Sequence, residues 1–249
     1  MNIKAVKLDI VMPPQDDLLS KIRKSKLSLK EGDIVAVSSK VVSIWEGRVL
    51  PIKDWGKKDE IAKREAEKYH ISFLGGRKTF FTIKHSVLIR SCGIDSSNGD
   101  GYFILWPKNP KGSAEKLLAW FKKEYKVKKI GLIITDSHSI PLRRGALGFA
   151  LARAGFEPIY DYRGKKDIFN NELKSSQANI ADALASSAVL SMGEGAEQTP
   201  LAVIRDAPHI NFGNVSKKKR PFSSFEVPFD EDVFSVFLKA VKWKKGENP

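Results

Sequence analysis

A chain of 249 residues, 42% hydrophobic and 29% charged, has the make-up of an ordinary globular protein long enough to bury a core, and no apolar run approaches the roughly eighteen residues of a membrane helix. A single cysteine excludes an internal disulfide framework, four scattered histidines exclude zinc-ligand spacing, and Met1-Asn2-Ile3-Lys4 lacks an apolar signal segment, so a cytoplasmic protein is expected. The formal charge of +14 admits nucleic acid, a membrane surface or small anionic ligands as partners, and charge alone does not choose among them.

Residues 3–10 alternate loosely and predict an edge strand that ends at Pro13-Pro14. Leu18, Leu19 and Ile22 give residues 17–25 helical spacing, and Glu31-Gly32-Asp33 makes a turn. Residues 34–42 read as a buried strand interrupted by Ser38-Ser39-Lys40, whose polar groups are costly there unless they meet partners or a ligand. A charged helix is expected over 59–69 and β structure over 80–89. Ser113 caps a helix through Tyr125 that buries Leu117, Leu118 and Phe121. Lys129 to Ile134 reads as a fully buried strand. Small residues over 145–154 predict a closely packed helix, and a further helix opens at Ser175 or Ser176 and ends at Met192-Gly193. Strand returns over 201–204, Lys217-Lys218-Lys219-Arg220 marks an exposed loop, and residues 232–243 form a last helix with Phe234, Phe237, Leu238 and Val241 inward. The alternation argues a mixed α/β (α+β) fold, one domain over 1–249 with central buried strands flanked by helices.

Four segments concentrate polar residues and glycine beside these elements: Ser38-Ser39-Lys40 with Glu46-Gly47-Arg48; Cys92-Gly93-Ile94-Asp95-Ser96-Ser97-Asn98; Thr135-Asp136-Ser137 with Arg143-Arg144-Gly145; and Met192-Gly193-Glu194-Gly195-Ala196-Glu197-Gln198. None is a P-loop, a dinucleotide fingerprint or a nucleophile elbow. Asp136 and Ser137 at a strand end suit either a turn or a divalent metal with its accompanying phosphates. Together the four segments supply carboxylates for metals, and cations with flexible backbone for phosphates.

The order of these segments resembles the coenzyme F420-0:L-glutamate ligase (F420-0:γ-glutamyl ligase) family. Gly32-Asp33, Ser38-Ser39-Lys40 and Glu46-Gly47-Arg48 are similar to its N-terminal signature. Gly93-Ile94-Asp95-Ser96-Ser97-Asn98 with Pro110-Lys111-Gly112-Ser113-Ala114 is similar to its central one. Ile134-Thr135-Asp136-Ser137, Arg144-Gly145, Asp161-Tyr162-Arg163-Gly164, Asp167 and Met192-Gly193 extend the likeness, which runs from about Gly32 to Arg205 and leaves 206–249 as a divergent extension.

The resemblance implies a homodimeric, GTP- or ATP-dependent ligase that activates an anionic acceptor's carboxylate as an acyl phosphate and joins it to L-glutamate. It implies Mg²⁺ or Mn²⁺ held by Asp95, Asp136, Ser137 and Glu194, the last where the family commonly carries glutamine. It implies nucleotide contacts from Ser39, Lys40, Asn98, Met192, Gly193, Gly195 and Gln198, and a catalytic role for Arg144 beside Asp95 and Asp136. The chain departs from the family pattern at Ile44-Trp45, where a lysine commonly precedes the Glu46-Gly47-Arg48 turn, and at Val11-Met12-Pro13-Pro14. Those departures leave a folate acceptor open beside a deazaflavin. A basic polyanion- or RNA-binding module on the same fold is the non-enzymatic alternative, opposed by the carboxylates, which phosphate backbones repel.

Overall fold

In a computed structural model, which describes residues 1–212 and 225–247, the chain forms a mixed α/β structure. The strands are β1 (Asn2–Val6), β2 (Ile34–Ser38), β3 (Val49–Pro51), β4 (Lys68–Leu74), β5 (Arg77–Lys84), β6 (Val87–Arg90), β7 (Tyr102–Ile104), β8 (Gly131–His138), β9 (Leu147–Ala154), β10 (Ile159–Asp161), β11 (Gln177–Asn179), β12 (Leu201–Arg205) and β13 (Lys244–Lys245). The helices are α1 (Leu18–Lys24), α2 (Ser39–Trp45), α3 (Ile52–Trp55), α4 (Lys58–Glu65), α5 (Pro110–Glu124), α6 (Ile180–Met192) and α7 (Ser235–Ala240). Among the described residues, no helix is long and apolar enough to cross a membrane.

The central sheet has the order β1-β12-β2-β8-β9. Its one parallel contact joins β2 to β8, with Ser38 opposite Thr135; every other neighbour is antiparallel. Strand period two sends alternate residues to opposite faces. Val35, Val37, Leu132 and Ile134 therefore meet Leu18, Ile22, Val42, Leu117 and Phe121 of α1, α2 and α5. Ile34, Ala36 and Ile133 meet Ile180, Leu184 and Ala188 of α6. Both faces are covered, which is why β2 and β8 read as unbroken apolar runs. A second sheet, β13-β4-β5-β6, packs Phe80 with Ile61 and Ala62 of α4 and with Cys92, Ile94, Phe103 and Leu105.

Several expectations are corrected. The helix expected over 145–154 is instead strand β9, from Leu147 to Ala154: the sheet edge is packed by α5 and α6, and an added Cβ at Gly148 would meet Val189 at 2.6 Å. The run at 34–42 is strand only to Ser38, whose hydroxyl accepts from Lys40 N at 3.3 Å and starts α2. β8 continues through Asp136 and Ser137 to His138, so these residues lie inside a strand rather than after it. The cap of α5 is Asn109 and that of α6 is Asn179, each side chain accepting a backbone N–H three residues on. Ser113 lies within α5 and donates to Glu46 Oε1 at 2.5 Å. The charged helix stops at Glu65 and Lys68 already begins β4. The last helix spans only Ser235–Ala240, leaving Phe234 and Phe237 exposed. The Lys217–Arg220 loop expectation lies outside the described residues.

Candidate functional site

The site gathers beyond the C-terminal ends of the parallel pair β2 and β8. There the chain leaves β2 as Ser38-Ser39-Lys40, and β8 extends past the sheet centre with Asp136 opposite Phe149 and Ser137 opposite Gly148. From α2, the Lys40 ammonium stands 2.8 Å from Asp95 Oδ2 and donates to Ser97 Oγ at 3.1 Å and Ser97 O at 3.2 Å. Asp95 follows a single 3-10 turn (Ser91–Gly93) and pairs through its backbone with Ile104, which fixes the loop's base. Its carboxylate also accepts from Ser96 N at 2.7 Å, Ser97 N at 2.9 Å and Ser97 Oγ at 2.9 Å. Burial opposes the Asp95 charge, but Lys40 and the Ser97 donors outweigh it and hold the acid at about 2.

Asp136 is the opposite case. Burial pushes its carboxyl up to about 6, against hydrogen bonds from the Trp106 indole, Ser137 N and the Ser39 hydroxyl and the more distant charge of Lys40. Trp106 Nε1 donates to Oδ2, and Ser137 N donates to Oδ1 at 2.8 Å. Two acids of one site are thus set to titrate on either side of their ordinary value, a pattern that accumulates at functional sites.

The third contribution comes from the loop after α6. Gly193, with φ +80°, ends the helix, and the Glu197 carboxylate folds back over it so closely that a Cβ there would lie 2.4 Å away. Glu197 accepts from Gly195 N at 2.8 Å and shapes the loop. Ser137 Oγ donates to Glu194 Oε2 at 3.2 Å, and Asn98 Nδ2 donates to Gly195 O at 3.1 Å. These two bonds tie the loop to β8 and to the Asp95 segment.

Lys40, Asp95, Asn98, Asp136, Ser137, Glu194 and Gly195 are therefore brought together, and Ser39 beside Lys40 is buried. The Met192 side chain is buried against the sheet, and its carbonyl accepts from the Thr199 hydroxyl. The Gln198 carbonyl accepts from Leu8 N at 3.0 Å, which anchors the N-terminal segment to this loop. Arg144 is exposed on the β8–β9 connection, without an ion pair among the described residues. Asp161 pairs with Arg163 at 2.8 Å, and Asp167 accepts from Phe169 N and Asn171 N, both at 2.8 Å. Trp106 and Glu197 had no expected role. Glu197 lies in one of the four polar segments, whereas Trp106 sits in an apolar stretch with no spacing to mark it.

Among the described residues, no group of three His, Cys, Asp or Glu is drawn together as a finished metal cluster. Asp95, Asp136, Ser137 and Glu194 offer carboxylate and hydroxyl oxygens, the ligand type a hard divalent cation takes rather than zinc or copper.

Residues 6–206 match the family described as F420-0:Gamma-glutamyl ligase, starting well before Gly32. The coenzyme F420:L-glutamate ligase of Methanocaldococcus jannaschii is 34% identical over 223 residues, covering 83% of this chain and 86% of the relative. That of Archaeoglobus fulgidus is 32% identical over 239 residues, covering 90% and 93%. That of Methanosarcina mazei is 29% identical over 260 residues, covering 98% and 100%.

Proposed function

Because this chain belongs to the F420-0:gamma-glutamyl ligase family, we propose that it joins L-glutamate by an amide bond to a carboxylate of an F420-type acceptor, with GTP or ATP and Mg²⁺ or Mn²⁺. The observation that carries the reading is the meeting of four distant segments through Lys40–Asp95, Ser137–Glu194 and Asn98–Gly195. Each brings an oxygen donor or a cation, the inventory that phosphoryl transfer needs.

In the proposed reaction an acceptor carboxylate oxygen attacks the nucleotide's terminal phosphorus, giving an acyl phosphate and the nucleoside diphosphate. The glutamate amine then attacks the acyl carbon, phosphate leaves, and the amine loses a proton. Asp95, Asp136, Ser137 and Glu194 would hold the divalent cation, which supplies positive charge against the phosphates. Lys40 adds a fixed cation on the same side, and Arg144, exposed on the β8–β9 connection, is available to a phosphate. Asn98, Gly193, Gly195 and Gln198 offer amide and backbone groups to the nucleotide. The Ser39 hydroxyl favours the charged form of Asp136.

A homodimer belongs to the same proposal. Leu142, Leu147, Ile168, Phe169 and Leu190 are large apolar side chains left exposed on this chain, and β9 is the last strand of its sheet. Light scattering of the purified protein checks the mass.

The test of the activity is phosphate release from GTP or ATP by purified protein with L-glutamate, Mn²⁺ or Mg²⁺, and a deazaflavin or a folate acceptor. Release coupled to a glutamylated deazaflavin supports the reading. No release with any acceptor of either class overturns it.

A further inference from the structure

We infer that Trp106 is a positioning residue for Asp136, tying it to the Asp95 loop as one rigid unit. The inference rests on the reading of Asp136 as a metal-holding residue.

The indole is 1% exposed and held on every side the structure describes. Its Nε1–H donates to Asp136 Oδ2. Its backbone carbonyl accepts from Arg48 Nε at 3.2 Å, and Arg48 is itself fixed by Glu65 at 2.7 Å. The ring tilts against Phe149, the cross-strand partner of Asp136, with centroids 6.1 Å apart, and stacks on His85 at 6.3 Å.

Gly93 completes the enclosure. It has φ +65°, and a Cβ built there would lie 2.3 Å from the Trp106 ring. Only glycine lets the chain pass over the indole at that point, and two residues later the same chain presents Asp95. The ring therefore stands between the two acids: its Nε1–H bonds to Asp136, and its Nε1, Cε2 and Cζ2 atoms lie against the backbone that leads to Asp95. An indole N–H is donor only. It can hold a carboxylate oxygen without competing as a ligand, and it leaves Oδ1 to Ser137 N and to whatever cation the site takes. Partners of this kind set the orientation of metal-holding groups and with it their affinity.

The experiment measures Mn²⁺ binding to the full-length protein by electron paramagnetic resonance of the free ion, in wild type, Trp106→Phe, Asp136→Asn and the double variant. Trp106→Phe is expected to weaken binding by about tenfold, and to add nothing when Asp136 is already asparagine. A second readout uses ¹⁵N-tryptophan-labelled protein. The Trp106 indole resonance should move on Asp136→Asn and on addition of Mg²⁺ to the wild type. The inference is overturned by a Trp106→Phe protein of native circular dichroism that binds Mn²⁺ as wild type does. It is equally overturned by the same loss in both Asp136 backgrounds, which is plain structural damage. If Trp106→Phe does not fold, an indole resonance indifferent to Asp136→Asn overturns it. Normal Mn²⁺ binding by Asp136→Asn itself would remove the metal reading of Asp136 and this role together. Weakened binding by Asp136→Asn without an effect of Trp106→Phe removes this role alone.

Discussion

The ammonium of Lys40 lies 2.8 Å from the carboxylate of Asp95, so the first residues of α2 and the loop after β6 are held by one ion pair in the middle of the site. Asp95 gains stability from that pair in its charged form. Its folded acidity, about 2, lies below its ordinary 3.8, so the contribution is present above the ordinary value and lost as pH falls through the folded one. Lys40→Gln should cost about 1 kcal/mol or less at about pH 7, since both groups are partly exposed, and clearly less at about pH 2, where Asp95 is half protonated. Urea melts of the two proteins at both pH values check this, and an equal difference at each would contradict it.

Asp136 has the reverse sign. Its folded value, about 6, lies above 3.8, so its environment favours the folded state below the ordinary value and penalises it as pH rises through the folded one. Asp136→Asn should therefore raise the melting temperature of the metal-free protein at about pH 7, by an effect on the order of 2 kcal/mol, and leave it nearly unchanged at about pH 4. Calorimetry in the presence of a chelator reads the difference. A lower melting temperature at neutral pH would mean that the carboxylate is welcome where it sits.

The same substitution should remove function. Asp95→Asn and Asp136→Asn are each expected to lower phosphate release by about a hundredfold or more, with circular dichroism unchanged. A variant that turns over near the wild-type rate takes its residue out of the mechanism. A more stable but inactive Asp136→Asn protein would mean that the site carries an acid that destabilises the fold and is retained for chemistry.

Gly148 tests the packing behind the site. An added Cβ would lie 2.6 Å from Val189 Cβ and 2.9 Å from the Ala185 carbonyl, so Gly148→Ala must push β9 from α6. Overpacking of this kind costs about 1–3 kcal/mol. A melt unchanged from wild type would show that α6 shifts freely.

How much could be read from residues alone depended on which faces an element buries. β2 and β8, covered on both sides, announce themselves as apolar runs, and β12 does the same. β9 is covered on both sides too, but its Gly148, Ala150, Ala152 and Ala154 are small because helices press on it, and small residues read equally well as a helix packed close. α2 was hidden for a related reason: Val41, Val42 and Ile44 prolong the apolar run of β2, and only the cap at Ser38 separates them. The polar members of the site were legible because carboxylates, Lys40 and glycines are conspicuous beside buried strands. Trp106 was not, since its role lies in one N–H on an otherwise apolar side chain, and that depends on where Asp136 comes to rest.

The position of β12 between β1 and β2 governs the order in which the protein can be built. Ile3 pairs with Ile204, and Val203 with Val35, so β1 finds its sheet neighbour only near residue 201. Until then β1 and one edge of β2 have no ladder to join, and closing so long a loop is slow. Arg205 then clasps the buried Asp33, with Nε and Nη2 at 2.8 and 2.7 Å from its two oxygens. A nascent chain stopped short of this strand would expose two apolar edges to aggregation, so residues 201–205 are what joins β1 to the rest of the sheet.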